Sequence, residues 1–375
     1  MSTHFHSLPI RSIQAETADC ISLTLDVPND LKDQFQYLPG QYLTFRAGID
    51  GDEIRRSYSL CSAPHENRLT VAIKKIDGGK FSNYAHRSLT PGDRIDVMPP
   101  MGHFHPHLQA SNHKHYLAIA AGSGITPVLS ILKAVLQTEP DSRFTLVYGN
   151  RDRQSIIFFE ELEGWKNKHL GRLQLIHVLS RERTDSILNL GRIDADKLAQ
   201  LRSLIDYTSV NECFLCGPEA LIETARRTLP TLGIDSKNIH FELFTTAAQQ
   251  AKQQKKQETV EVLGGPQSTV TLRVDGRSVD VNIPQNGAQT ILDAALHQGA
   301  DLPYACKGGM CCTCKAKLIE GEVKMDVRWG LEDEEVAQGF ILTCQAIPTT
   351  QKLVVDFDAN NPNGRLHKIP NSCSD

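Results

Sequence analysis

Between Cys306 and Cys314 the chain reads CKGGMCCTC, which places four of its ten cysteines within nine positions. Three of them have the spacing C-x4-C-x2-C, and Cys344 follows after 29 intervening residues. No other feature constrains the fold as tightly, because a short loop and one distant segment must converge on a single point. Cys306, Cys311, Cys314 and Cys344 therefore form a candidate ligand set for a [2Fe–2S] cluster, whose two irons take four thiolates. Gly308 and Gly309 let the backbone wrap such a cluster and turn N–H groups toward its sulfurs, which stabilises the electron-rich reduced state. Zinc is the competing reading, but it favours paired C-x2-C knuckles, and the distal element offers only Cys344. Two adjacent thiols cannot easily serve one metal, so Cys312, beside Cys311, is assigned to packing.

The other cysteines (Cys20, Cys61, Cys213, Cys216 and Cys373) are scattered. The start, MSTHFHSLPI, lacks the basic and then apolar regions of a signal peptide, so the cytoplasm is the expected location. There, clustered thiols imply metal or redox chemistry and not a disulfide framework. A net charge of −4 gives no basic excess for nucleic acid or an anionic membrane. The most apolar stretch, Tyr116 to Leu136, is broken by Gly122, Ser123, Gly124, Thr126, Pro127 and Ser130, and reads as strand, turn and buried helix instead of a membrane span.

A chain of 375 residues exceeds one core, and three textures divide it. Residues 1–108 carry short alternating runs (ISLTLDV, QYLTFRA, RLTVAIKKI, DRIDVMP) punctuated by Pro, Gly and Asp, the pattern of a small antiparallel β-barrel. Residues 109–244 alternate buried apolar strands (YLAIAA, FTLVYG, LQLIHVLS, ECFLC, IHFELF) with helical segments (VLSILKAVL, FFEELEGW, ALIETARRTL), which predicts an α/β domain with a parallel sheet. The run TTAAQQAKQQKKQE has no large apolar anchor, so residues 245–262 are expected to be a linker. In residues 263–375, two alternating runs around Asp275-Gly276 predict a hairpin. A helix at TILDAALHQG, the cysteine loop, and strands near CKAKLI, ILTCQ and KLVVDF complete a small sheet crossed by one helix.

Three motifs in the barrel segment occur in order: R-x-Y-S at Arg56, Tyr58 and Ser59, G-x-x-S at Gly79, Lys80, Phe81 and Ser82, and PPMGHF. Each alone is weak, since a lone R-x-Y-S is more often an ordinary strand. Together they resemble the FAD domain of the ferredoxin–NADP reductase family. That resemblance implies FAD as cofactor and assigns Tyr58 and Ser59 to the catalytic centre. The residue chemistry agrees. Arg56 can pair with a flavin phosphate as a bidentate donor. Tyr58 offers a flat face to the flavin ring, and Ser59 can reach its N5 edge. Gly79 to Ser82, opening a helix, can present N–H groups to the pyrophosphate.

After the strand YLAIAA comes GSGITP, in which Gly122 and Gly124 permit close approach to a phosphate at a helix N-terminus and Pro127 suits the N1 position. Pro127 stands where the third glycine of G-x-G-x-x-G would be, and the reductase family has this form, with Thr126 beside it. Cys213 and Cys216 are a C-x2-C pair, but no redox-motif context surrounds them, so Cys213 is taken as a buried strand residue. Cys216, Gly217 and Pro218 resemble the family's C-G-P motif, where nicotinamide meets flavin at a strand's carboxyl end, which makes Cys216 the third catalytic candidate. Ser180, Arg181 and Arg183 follow a strand and favour the 2′-phosphate of NADPH, although Glu182 lies between the arginines and NADH is the alternative. Glu242 and Phe244, in HFELF, end the module where relatives place residues near the flavin.

A reductase module followed by a ferredoxin domain, expected to be a β-grasp fold, accounts for nearly the whole chain. The runs LPYACKGGMCCTCKAKLIEGEVKMDV and GFILTCQ are similar to the reductase components that serve phenylacetyl-CoA 1,2-epoxidases. This resemblance implies electron flow from NADPH through FAD and the cluster to a separate di-iron oxygenase. The alternatives are a reductase of the same layout serving a hybrid-cluster protein or a ring-hydroxylating dioxygenase and, in a different class, a non-catalytic zinc-binding interaction protein.

Overall fold

The computed structural model describes residues 4–244, 266–285 and 289–360, so the expected linker at 245–262 lies outside the described residues. The described residues divide into two compact units, one of residues 5–244 and one of residue 4 with residues 266–285 and 289–360.

The first unit begins with β1 (His6–Thr17), β2 (Cys20–Leu25), β3 (Tyr42–Ile49), β4 (Asp52–Ser59), β5 (Leu69–Lys74) and β6 (Arg94–Val97). They pair antiparallel in the order β4-β3-β6-β1-β2-β5. The two outer strands then meet. Leu60, directly after β4, bridges Val71 of β5, and the Cys61 N–H donates to the Thr70 carbonyl at 2.8 Å. Closure removes the open edges and makes a barrel. Alternate residues (Leu8 and Ile10, Leu23 and Leu25, Leu43 and Phe45, Val71 and Ile73) fill its core. Helix α1 (Lys80–Ser88) adds Phe81 and Ala85 to that core.

A parallel sheet follows, built from β7 (His115–Ala121), β8 (Arg143–Asn150), β9 (Leu173–Leu179), β10 (Glu212–Gly217) and β11 (Ile239–Leu243) in the order β11-β10-β7-β8-β9. Tyr116 to Ala120 of β7 are fully buried, as a strand covered on both faces requires. The helices are α2 (Ile125–Thr138), α3 (Phe159–Lys168), α4 (Ala195–Gln200) and α5 (Glu219–Leu232). Strand order reverses between β7 and β10, so the crevice beyond their carboxyl ends is where such a sheet takes its ligand. One local expectation changes. A 3-10 turn at Gly122–Gly124 runs into α2, so Pro127 is the third helical residue and not the first. It is tolerated because the first four helical N–H groups have no intrahelical acceptor to lose.

In the second unit, β12 (Gln267–Val274) and β13 (Arg277–Pro284) form the hairpin, with Asp275 and Gly276 both at positive φ. Helix α6 (Ile291–His297) precedes β14 (Lys315–Glu320), β15 (Val323–Met325), α7 (Asp333–Ala337), β16 (Phe340–Leu342), β17 (Ala346–Pro348) and β18 (Lys352–Asp356). The mixed sheet runs β13-β12-β18-β14-β16, with β15 and β17 paired separately. Ile291, Leu292, Ala294 and Ala295 of α6 pack into its core, giving the β-grasp arrangement. The run ILTCQ, expected as one strand, is divided. β16 ends at Leu342, the Gln345 N–H turns back to the Leu342 carbonyl at 2.9 Å, and Cys344 sits in that turn. Among the described residues no helix is long and apolar enough to cross a membrane.

Candidate functional site

On β4 the half-buried Tyr58 ring meets Phe45 edge-on at 5.8 Å and Phe81 of α1 at 5.6 Å. R-x-Y-S and G-x-x-S are therefore brought together, joined by the Tyr58–Phe81 contact. Arg56 is half-buried beside them and donates to the Arg55 carbonyl at 2.7 Å. Gly79 is the residue before α1, where a Cβ would come within 2.7 Å of the Ser82 Oγ. The Ser82 hydroxyl is buried and accepts from the Ile76 N–H at 3.1 Å, so it shapes the loop, and the N–H groups at the start of α1 are what remains for an anion. Lys80 pairs with Asp52 at 2.6 Å across the β3–β4 turn.

At the sheet's switch point the glycines have different tasks. Gly122 adopts φ +55°, and its carbonyl accepts from the Tyr148 hydroxyl at 2.9 Å. At Gly124 a Cβ would stand 2.2 Å from the Cys216 carbonyl oxygen, so only glycine lets the turn after β7 lie against β10. Thr126 donates to the Ser123 carbonyl at 3.0 Å and holds that turn. Cys216 is fully buried at the end of β10, where burial first and the Glu242 carboxylate second push its thiol well up. Gly217 and Pro218 carry the chain into α5. Cys213 is also buried, but three residues along a strand puts it on the opposite face from Cys216, so the two cannot form a dithiol.

Cys216 lies directly across the parallel ladder from Glu242 of β11. Ser59 Oγ donates to Glu242 Oε2 at 3.1 Å. One contact thus joins the R-x-Y-S strand to the C-G-P strand. Burial pushes the Glu242 carboxyl up to about 7, with the Ser59 hydrogen bond opposing it. Beyond the end of β9, Ser180, Arg181 and Arg183 are exposed. The Ser180 hydroxyl donates to the Asn150 carbonyl at 3.3 Å. Glu182 is turned aside and accepts from the Arg153 N–H at 2.6 Å.

In the second unit the four sulfurs sort into two pairs. Cys311 Sγ lies 3.2 Å from Cys306 Sγ, and Cys344 hydrogen-bonds the Cys314 thiol. The N–H groups of Gly308 and Cys311 point at Cys306 Sγ from 3.3 and 3.4 Å. The Cys311 thiol, with these N–H groups, holds the Cys306 thiol well below its ordinary range despite burial. Among the described residues no three His, Cys, Asp or Glu side chains converge on one ion. Two thiols per metal is the division that a binuclear cluster needs, so the donor set fits a [2Fe–2S] group. The loop is held from both sides. At Gly309 (φ +72°) a Cβ would meet Val327 and Gln345 at 2.9 Å, and at Gly330 it would meet the Cys311 carbonyl oxygen at 2.6 Å. Cys312 is buried within the loop.

Sequence reasoning passed over the residues that fasten the barrel to the parallel sheet. Lys133 of α2 is buried, and its ammonium contacts Glu66 at 3.2 Å, the Cys61 carbonyl at 3.2 Å and Glu161 at 2.5 Å. One turn earlier Ser130 donates to the Ser62 carbonyl at 2.6 Å. Asp19, in the β1–β2 turn, meets Arg151 at 3.1 Å and Lys74 at 3.6 Å. A lysine inside the apolar run VLSILKAVL was the available signal, because a charge on that face needs a buried partner.

Three family models match successive parts of the chain: an oxidoreductase FAD-binding domain over residues 7–105, an oxidoreductase NAD-binding domain over 118–227, and a 2Fe-2S iron-sulfur cluster binding domain over 272–349. One of the subunits of 1,2-phenylacetyl-CoA epoxidase from Escherichia coli (strain K12) is 46% identical over 358 residues, spanning 95% of this chain and 99% of the relative. The ferredoxin reductase component of 3-ketosteroid-9-alpha-monooxygenase from Rhodococcus rhodochrous is 35% identical over 353 residues, 93% of this chain and 96% of the relative. Among solved structures, phthalate dioxygenase reductase, described as modular for electron transfer from pyridine nucleotides to [2Fe-2S], aligns with TM-score 0.54 and 25% identity over 94% of this chain and 98% of the other.

Proposed function

Because this chain belongs to the ferredoxin–NADP reductase family, in the group that carries a C-terminal [2Fe–2S] domain, we propose that it carries electrons from NADPH to the oxygenase component of a phenylacetyl-CoA 1,2-epoxidase. The Ser59–Glu242 contact, with Cys216 in register beside it, is the observation that carries the reductase part of this reading. It joins the strand end suited to a flavin with the sheet end suited to a nicotinamide. Bound FAD would supply the conversion between a two-electron hydride donor and a one-electron cluster.

The chain's own residues do the positioning. Tyr58 would offer its ring to the flavin, Arg56 and the start of α1 would meet its phosphates, and Ser59 would stand at the ring's edge. Gly122, Gly124 and the start of α2 receive the dinucleotide phosphate, with Thr126 and Pro127 fixing that turn. Cys216, Gly217 and Pro218 shape the nicotinamide end, and buried Cys216 keeps water from it. Cys306, Cys311, Cys314 and Cys344 hold the cluster.

NADPH over NADH is supported by Ser180, Arg181 and Arg183 beyond β9, and by Glu182 being engaged on the Arg153 backbone, away from a ribose. The epoxidase acceptor rests on the relative from Escherichia coli, an epoxidase component alignable along its whole length. The experiment is NADPH-dependent turnover of phenylacetyl-CoA by the purified oxygenase component with this protein added. Stimulation supports the acceptor. Good cytochrome c reduction without stimulation removes the epoxidase and leaves the reductase.

A further inference from the structure

Lys307, the residue after Cys306, has φ +50°, in the left-handed region that residues other than glycine seldom enter. Three contacts hold it there. Gln345 Nε2 donates to its carbonyl at 3.0 Å, its ammonium meets Asp293 Oδ1 at 3.0 Å, and the same ammonium lies 4.9 Å from the centre of the Tyr304 ring. The turn so formed aims the Gly308 N–H at Cys306 Sγ. Glycine would meet this φ without strain, so the loop keeps a cation here at a conformational cost.

Asp293 is equally fixed. It lies in the first turn of α6, its second oxygen accepts from the Thr290 hydroxyl at 2.8 Å, and its own N–H is capped by that hydroxyl at 3.2 Å. Its side chain is 16% exposed and that of Lys307 is 37% exposed, so solvent screens this pair less than an open surface pair. The pair is therefore a rigid dipole anchored one residue from a sulfur that carries charge.

We infer that the Lys307–Asp293 pair sets the reduction potential of the cluster. The inference rests on the assignment of Cys306, Cys311, Cys314 and Cys344 as ligands. Reduction adds one negative charge to the cluster. The Lys307 ammonium favours that charge, and the Asp293 carboxylate partly cancels the ammonium. Removing the two groups singly must then move the potential in opposite directions, which a merely structural role for either would not do.

The test is potentiometric titration of the full-length protein with mediators, read by the electron paramagnetic resonance signal of the reduced cluster. Lys307→Gln is expected to shift the equilibrium about tenfold toward the oxidised form, ~59 mV downward for one electron. Asp293→Asn is expected to shift it upward by a smaller factor, and the double variant to lie between the two single variants. Lys307→Arg, which keeps the charge, should stay near the starting value and serves if glutamine loosens the loop. Shifts of the same sign, unmoved potentials, or loss of the cluster from both single variants overturn the inference while leaving the ligands in place. An unaltered protein with no cluster absorption overturns the ligand assignment and this inference with it.

Discussion

Ser59 Oγ donates to Glu242 Oε2 at 3.1 Å, linking two residues 183 apart in sequence across the junction of barrel and parallel sheet. Burial raises the Glu242 carboxyl to about 7, against an ordinary value of 4.5. The folded chain then holds a proton that the unfolded chain has released between those two values, so stability falls as pH rises through that window. Glu242→Gln removes the titration. NADPH-driven flavin bleaching, followed by stopped flow from about pH 5.5 to about pH 8.5, should lose its inflection near neutrality in the variant. An inflection of unchanged position would detach Glu242 from the site.

Lys133 joins the two halves of the first unit more deeply. Burial favours a neutral Glu66, but Lys133, the Ala63 N–H and Arg68 together hold its carboxyl below the ordinary range. A group depressed in this way contributes stability above its unfolded value, and the contribution fades as acid protonates it. Lys133→Met leaves Glu66 and Glu161 without their shared cation and should cost about 3–5 kcal/mol at neutral pH by chemical denaturation. The deficit should shrink as pH falls below 4.5, the ordinary Glu66 value, and Glu66 takes up a proton; a constant deficit across pH would place the loss in packing alone.

The two glycines of the GSG turn look alike as letters, and their separate roles show how far the sequence reaches. Spacing identified the turn and the helix after it, but not which glycine is required by space and which by φ. That distinction depends on Cys216, nearly a hundred residues away. The barrel, the parallel sheet and the hairpin at Asp275-Gly276 were legible because alternation, apolar runs and turn residues are local signals. The turn at Cys344 was not, since one carbonyl contact splits an otherwise strand-like run. Nor was the Lys133 hub, whose acidic partners lie on separate elements.

Gly124→Ala drives a Cβ into the Cys216 carbonyl, a backbone group that cannot swing aside. It should cost roughly 1–3 kcal/mol or more and weaken NADPH binding sharply. Gly122→Ala meets only the Lys74 ammonium at 3.9 Å, so its cost is the φ of +55° alone, about 1–2 kcal/mol. Thermal denaturation and NADPH titration of both variants check the order; equal losses would contradict the close approach of the turn to β10.

Arg181 is exposed beyond β9, while its neighbour Glu182 is bound to the Arg153 N–H. Arg181→Ala should raise the KM for NADPH about tenfold or more and leave that for NADH nearly unchanged, because only NADPH carries the phosphate that arginine would pair with. Steady-state dye reduction with each coenzyme decides it, and parallel changes would remove Arg181 from coenzyme choice.

The paired thiols make the cysteines distinguishable by experiment. Cys344 stands in the turn between β16 and β17, and Gln345 ties that turn to the loop through the Lys307 carbonyl at 3.0 Å. Cys344→Ser removes one of the two sulfurs of the Cys314 pair, so visible absorption and the reduced-cluster resonance should be lost. Flavin content and NADPH-driven ferricyanide reduction should persist, because FAD and NADPH are assigned to the other unit. Cys312→Ser exchanges a buried sulfur for a smaller hydroxyl without touching either pair, and the cluster should remain at full occupancy with at most about 1–2 kcal/mol lost from the domain. Iron content and the resonance spectrum of the two proteins, measured side by side, give opposite answers if the pairs are assigned correctly. A cluster lost from Cys312→Ser and kept in Cys344→Ser would reverse the assignment.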